Sequence, residues 1–321
     1  MELLVGTSRG VFRDADCVLE CTGAREIVSI DEAIFVGTND GVYRSNDGGM
    51  SWSDAELKSY QIWQIRQDAL GRIWITTQPA GLFFSDDGGS SWQACTAFND
   101  TAAKTNWCIP LDPPIDARAR ALVIDAFDPD RMLVGVEVGG IMRSVDRGKT
   151  WHLVEPYNNP DLHMLFQHPN EADTVFASTG YGRLDGIADM VEGNAGVLRS
   201  IDFGATWDYA WWGIEPRYSR PMCINSGGLT VGAAPDAFAH YKREGGAQAM
   251  LFHSDDLGQS WQPMLAEPSN YNIHGLINDP DDLTSAIVGT DGGSVWRVTS
   301  GSAPEVLAEG YPTVLSLLAT A

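Results

Sequence analysis

Two histidines, each six residues ahead of a proline, are the first positions in this sequence that could do chemistry. His163 precedes Pro169 and His274 precedes Pro280, each near the start of an apolar strand pattern. An imidazole placed there could donate to a ligand oxygen, act as a base, or help to bind a metal. The pair does not supply the three or more protein ligands common in zinc sites, so no metal and no cofactor is expected. A plainer role is a hydrogen-bonding group in a wet tunnel. Among carboxylates, Asp125 interrupts its strand four residues before Pro129, on the same side as Val123, the position that the proline count makes equivalent to His163. Glu137 and Glu215 fall near the rim of the same elements. His163, His274, Asp125, Glu137 and Glu215 therefore form the candidate catalytic set. Glycoside hydrolysis would need one protonated carboxyl group and a second carboxylate among such residues. A lyase or isomerase would use a histidine as base.

Candidate ligand contacts come from long insertions over residues 95–119, 155–161, 179–195, 209–220 and 235–247. The first carries Trp107, Arg118 and Arg120 at or beside its end, and the second ends on Asp161. The third has Tyr181, Arg183 and Asp185. The fourth runs Trp211-Trp212-Gly213-Ile214-Glu215-Pro216-Arg217-Tyr218, and the fifth has His240 and Tyr241. Aromatic rings beside guanidinium and carboxylate groups can stack on and hydrogen-bond a sugar or another polar ring. Salt bridges and loop packing would use the same residue types.

The elements that must position these groups follow from a phrase that occurs five times, Ser-x-Asp-x-Gly-x-(Ser/Thr)-Trp. Its copies span Ser45–Trp52, Ser85–Trp92, Ser144–Trp151, Ser200–Trp207 and Ser254–Trp261, with first serines 40, 59, 56 and 54 residues apart. Each interval holds about four short strands. Within the phrase, Asp supplies acceptors for turn N–H groups, Gly adopts backbone conformations closed to other residues, and Trp packs between sheets. One such carboxylate per repeat, never clustered, argues for a structural role and against calcium.

This repeat resembles the Asp-box, or BNR, repeat of sialidase-like β-propellers, over nearly the whole chain in its periodicity. The resemblance implies an all-β propeller of four-stranded antiparallel blades. It says little about chemistry, because the superfamily holds sialidases, other glycoside hydrolases, photosystem assembly factors and sorting receptors. A sialidase would require an arginine cluster, a tyrosine nucleophile assisted by glutamate, and an Arg-Ile-Pro signature before the first Asp box. That signature is absent, so standard sialidase activity is not expected.

Counting strand patterns gives seven blades in one domain over residues 1–321. The second blade reads as 26–30, 33–38 and 41–45, and a seventh without the Asp phrase as 273–280, 285–290 and 294–298. The N-terminus offers three strands without an inner partner, and residues near 313–319 have the inner-strand pattern. Their pairing would close the ring and remove two sheet edges.

Charge narrows the partners. Lys and Arg number 21 against 43 Asp and Glu, giving −22, which disfavours nucleic acid and anionic membranes. A carbohydrate or small polar metabolite is the expected partner, and a noncatalytic protein-docking or assembly propeller is the alternative. The five cysteines, Cys17, Cys21, Cys95, Cys108 and Cys223, lack a regular framework and read as reduced thiols. The start lacks a basic and apolar leader pattern, and no stretch approaches eighteen apolar residues, which points to a cytoplasmic chain.

Overall fold

The computed structural model describes residues 2–159, 161–180, 195–225 and 227–320. The protein is all-β, with seven antiparallel blades of a propeller in which the C-terminal strand pairs with the N-terminal one. Blade one is assembled from both chain ends: Val314–Thr320 pairs with Glu2–Thr7, which pairs with Gly10–Arg13 and then Asp16–Leu19. The expected closure by residues 313–319 is therefore present. Blade two has three full strands, and its fourth is reduced to a bridge between Val42 and Glu56. All five cysteines are free thiols. No described helix is long and apolar enough to cross a membrane.

The chain divides into two compact units. One holds residues up to Asn39, Tyr43–Asp54 and everything from Ala210 onward, hence blades one, six and seven and most of blade two. The other holds Asp40–Val42 and Ala55–Tyr209, hence blades three, four and five. In both, the second strand of a blade is buried along its whole length, as in Ala33–Thr38, Ile73–Gln78, Met132–Glu137 and Ser285–Thr290. These runs read as continuous Val, Ile, Leu and small residues, the pattern of strands covered on both faces. Between blades three and four the core is Trp74, Leu122, Val134 and Met142. Between blades four and five it is Leu133, Ile141, Leu165 and Phe203. In the first unit, Val5, Ile287, Val295, Val314 and Leu317 pack where the terminal strand joins blade one to blade seven.

Each repeated Ser-x-Asp-x-Gly-x-(Ser/Thr)-Trp phrase forms the same turn between third and fourth strands. In the first copy Asp47 Oδ1 accepts from Ser45 Oγ at 2.7 Å and from Ser51 N at 2.9 Å, while Oδ2 accepts from Ser51 Oγ. Ser45 Oγ also accepts from Gly49 N at 2.8 Å. Asp87, Asp146, Asp202 and Asp256 repeat the pattern. The glycine two residues after each Asp has φ between 76° and 86°, which explains its presence there. Hydrogen bonds from Ser51, first its hydroxyl and then its backbone, lower the Asp47 carboxyl to about 2.

A second regularity lies at the opposite end of the inner strands of blades three to seven. The pairing register slips by one residue at Trp63, Arg120, His163 and His274, and across Arg220-Pro221. Each is a β-bulge, which leaves one side chain out of the ladder and re-aims it. Five residues beyond each bulge, at Asp68, Asp125, His168, Asn225 and Asp279, the inner strand ends or has just ended. Asp125 is thus the counterpart of Asp68 and His168, and the residue equivalent to His163 is Arg120 instead of Val123. The proline count failed because Pro129 stands four residues past Asp125, whereas Pro169 and Pro280 directly follow His168 and Asp279 in turns of the same span. The insertion 95–119 also departs from a plain loop. It forms a helix, Thr96–Thr105, ending on left-handed Asn106, and a small hairpin of Cys108–Ile109 with Ile115–Asp116. Phe98 anchors the helix, edge-on to Trp151 at 5.3 Å.

Removing residues from Thr313 onward should expose the face that Val314 and Leu317 cover. At about 2 kcal/mol per buried aliphatic side chain plus the lost pairing, the shortened chain is expected to lose at least about 5 kcal/mol. Urea unfolding followed by tryptophan fluorescence checks this; a midpoint equal to that of the full chain would refute the closure.

Candidate functional site

In the second unit the bulges of three consecutive blades meet. Trp63 from blade three lies under both arginines of blade four, with its ring centre 5.1 Å from the Arg118 guanidinium carbon and 5.3 Å from that of Arg120. Both guanidinium groups reach one oxygen of Glu137: Arg118 Nη1 is 3.0 Å and Arg120 Nη1 is 3.2 Å from Oε2. Glu137 ends the second strand of blade four and bridges to Asp161 of blade five. His163, fully buried at its bulge, has Nε2 3.3 Å from Asp161 Oδ1.

Supporting groups fix these side chains. Arg118 Nε donates to Gln78 Oε1 at 3.2 Å, and Gln78 Nε2 donates to Asp116 O at 2.8 Å. Asp161 N donates to Asn159 Oδ1, Gly180 N donates to Asp161 O, and Asn159 Nδ2 donates to Gly180 O. Two loops of blade five are thereby tied together beside the carboxylate.

The electrostatics are those of a buried ion network. Burial alone would raise the Glu137 carboxyl, but Arg120, then Arg118, and also His163 outweigh it and hold the group down at about 2. Glu137 is therefore ionised at any ordinary pH and cannot hand over a proton there. Glu137, Asp161 and His163 bring one ligand-type atom each within 4.8 Å of one another. Two guanidinium groups already supply the positive charge that a metal ion would bring to Glu137, so the set is satisfied as an ion network. Trp107 lines a separate pocket of about 230 Å³ with Pro79, Asn99, Asn106 and Asp116.

The remaining candidates are distributed elsewhere. Asp125 sits at the far end of its strand from this cluster, buried, paired with Arg131, and accepting from Gln167 Nε2 at 2.7 Å. The carboxylate grouped with His163 in the candidate catalytic set is instead a lock between blades four and five. In the first unit, His274 is half-buried at the bulge of blade seven. Glu215 has an 82 % exposed side chain, with Arg217 Nε 3.7 Å away as its ion-pair partner. Arg217 covers the Trp211 ring at 4.4 Å, and Trp212 lies 4.7 Å from Trp211 while remaining 64 % exposed. Tyr218 is buried beneath Arg220, and His240 stacks on Tyr241. Tyr181, Arg183 and Asp185 lie outside the described residues. Trp63 and Gln78 belong to the cluster and were missed by sequence reasoning. Counting five residues back from Asp68 would have found Trp63; nothing local marks Gln78.

Because the Glu137 carboxyl is depressed, its ionised form stabilises the fold above the ordinary carboxylate range. That contribution is lost as pH falls through about 2. Glu137→Gln should cost about 3 kcal/mol at neutral pH by leaving two guanidinium groups without their shared acceptor. The deficit should shrink as pH falls from 4.5 to about 2, because the unfolded chain takes up this proton before the folded one does. Chemical denaturation across that range measures it; a pH-independent deficit would contradict the ion-pair origin.

No family model matches the sequence. Among curated proteins, the chain is 25 % identical over 267 residues to a xyloglucanase of Paenibacillus sp, spanning 72 % of this chain and 24 % of that protein. It is 23 % identical over 282 residues to the photosystem II assembly lipoprotein Ycf48 of Synechococcus sp. (strain CC9902), spanning 82 % of this chain and 70 % of that one. Among solved structures, the GH74 xyloglucanase of Xanthomonas campestris superimposes with a TM-score of 0.66 at 16 % identity, over 98 % of this chain and 52 % of the other. The chain thus spans about a quarter of the curated xyloglucanase and half of the solved one. Its propeller is distantly related to those of GH74 enzymes and of Ycf48, and the likeness carries the fold.

Proposed function

We propose that the chain binds a carbohydrate or another small polar ligand at the loop end of blades three to five. The observation that carries this reading is the meeting of three bulge side chains, Trp63, Arg120 and His163, with two buried carboxylates. Such a group is expensive to bury as scaffold alone, because each charge gives up hydration. It offers what sugar recognition uses: an indole, the Arg118 guanidinium with donors beyond its Gln78 and Glu137 contacts, and carboxylate acceptors. The five Asp turns are read as Asp-box repeats of the sialidase-like type, on the strength of their shared hydrogen bonding.

Glycoside hydrolysis is the chemistry to test at this site. Glu137 and Asp161 stand close together, near the shorter separation used by retaining enzymes. The general acid would have to be Asp161, with His163 beside it, since Glu137 stays ionised. The likeness to xyloglucanases makes β-glucans the first substrates to offer. A noncatalytic docking propeller is the second reading, favoured by Trp212, which is 64 % exposed beside Trp211 and Arg217. The name of the assembly lipoprotein Ycf48 points the same way.

Release of reducing ends from xyloglucan and other β-glucans separates the two. Hydrolysis predicts that Asp161→Asn lowers turnover by about a hundredfold or more, with polysaccharide binding retained. Arg118→Gln is expected to weaken binding by about tenfold. Absence of both binding and turnover, with tight capture of a protein through Trp212, would replace this reading with docking.

A further inference from the structure

The first unit carries a row of aromatic rings built from blades six and seven. His240 lies over Tyr241 with ring centres 4.6 Å apart, Tyr241 is 6.0 Å from Tyr271, and Tyr271 meets Trp296 edge-on at 5.7 Å. Tyr271 is 38 % exposed, although aromatic rings neighbour it on two sides. Its seat is Gly292. A Cβ at that position would fall 2.3 Å from Tyr271 Cδ1 and Cε1, so the ring rests directly on bare backbone. Close approach is what glycine provides here. One side of the ring is covered by main chain, and 38 % of the residue is left to solvent.

The segments that carry this row are anchored to one buried carboxylate. Asp291 Oδ2 accepts from Tyr241 N and Oδ1 accepts from Asn272 N, both at 2.9 Å. Asn272 Nδ2 donates to Ala239 O at 2.7 Å. The rings are therefore held in place before any ligand arrives, which lowers the ordering cost of binding. A hydrogen-bond donor stands beside them. His240 Nδ1 accepts from Lys242 N at 3.1 Å, so the neutral ring carries its proton on Nε2. That nitrogen lies 3.9 Å from Asp291 Oδ2, beyond hydrogen-bonding reach, on a side chain that is 44 % exposed.

A partly exposed ring on a fixed seat, with an N–H donor in the same aromatic row, matches a pyranose, which offers an apolar C–H face and hydroxyl oxygens around it. A net charge of −22 disfavours phosphate-bearing rings on the same platform. We propose that Tyr271, flanked by Tyr241 and Trp296 and served by His240 Nε2, is a stacking site for a sugar unit of a neutral polysaccharide. It rests on the carbohydrate reading above but uses none of the residues of the second unit's cluster.

Native electrophoresis through gels containing xyloglucan, mixed-linkage β-glucan or galactomannan tests the site, with the dissociation constant taken from retardation against polysaccharide concentration. The native chain should be retarded by at least one of the three. Tyr271→Ala should weaken that binding by about tenfold. Gly292→Ala keeps the tyrosine but pushes its ring off the backbone, and should weaken binding in the same direction. Loss of retardation in Tyr271→Ala but not in Arg118→Gln would uphold this site and remove the one proposed in the second unit. The reverse pattern, with Tyr271→Ala and Gly292→Ala both like the native chain, would overturn this inference and leave the other standing. A native chain retarded by none of the polysaccharides would overturn both.

Discussion

The charged cluster of blades three to five depends on one extra residue in each of their inner strands. A regular strand between two packed blades has no place for a large polar side chain, because both of its faces are covered. The bulge provides one. Ile62, Ala119, Ala121, Leu162 and Ile273, which flank Trp63, Arg120, His163 and His274, are buried in the apolar layers. The residue between them drops out of the ladder, and its side chain is turned out of the interblade contact. Indole, guanidinium and imidazole groups then occupy equivalent positions in successive blades.

Charge balance decides what the cluster of the second unit can do. Two arginines share one oxygen of Glu137, and Asp161 stands beside His163, so fixed positive and negative charges offset each other locally in a chain whose total is −22. Desolvation would otherwise drive Glu137 toward its neutral form; the guanidinium groups win because they are close and themselves partly buried. The same pairing makes Trp63 useful. Both guanidinium carbons lie within 5.3 Å of its ring centre, so the indole attracts the two cations that Glu137 pairs.

What was legible in the sequence is what is local. The Asp turns close within eight residues, so their Ser, Asp, Gly and Trp all appear in one phrase, and blade count and terminal closure followed from it. The bulges are equally regular but involve a shift in pairing to a strand read separately, and no residue type announces the shift. Counting from prolines therefore aligned His163 with His274 correctly and with Val123 wrongly, and it turned Asp125 toward the wrong end of its strand. The helix Thr96–Thr105 was hidden for another reason. Cys95 at its start offers no side-chain cap, and Phe98 is its single buried side chain, so neither a boundary nor an apolar stripe stands out. Arg118, Arg120, Asp161 and His163 were recognisable as types, whereas their convergence on Glu137 joins two blades and depends on register.

The two ends of a blade differ in how much hydrogen-bonding capacity they leave unused. At the turn end, Asp47 and its counterparts accept from hydroxyl and backbone donors of their own turn, and Asp68, Asp125 and Asp279 are each paired with an arginine. Burial opposes ionisation of Asp68, but donors from Trp74 and Arg147 outweigh it and lower its carboxyl. Such saturation makes the turns rigid and chemically quiet. At the loop end, the guanidinium edges of Arg118 and the Nε2 of His240 are donors only partly spent on the protein itself. A ligand that needs oriented donors beside an aromatic face therefore finds them at one end of the blades, because the other end has used its polar groups to hold the strands together.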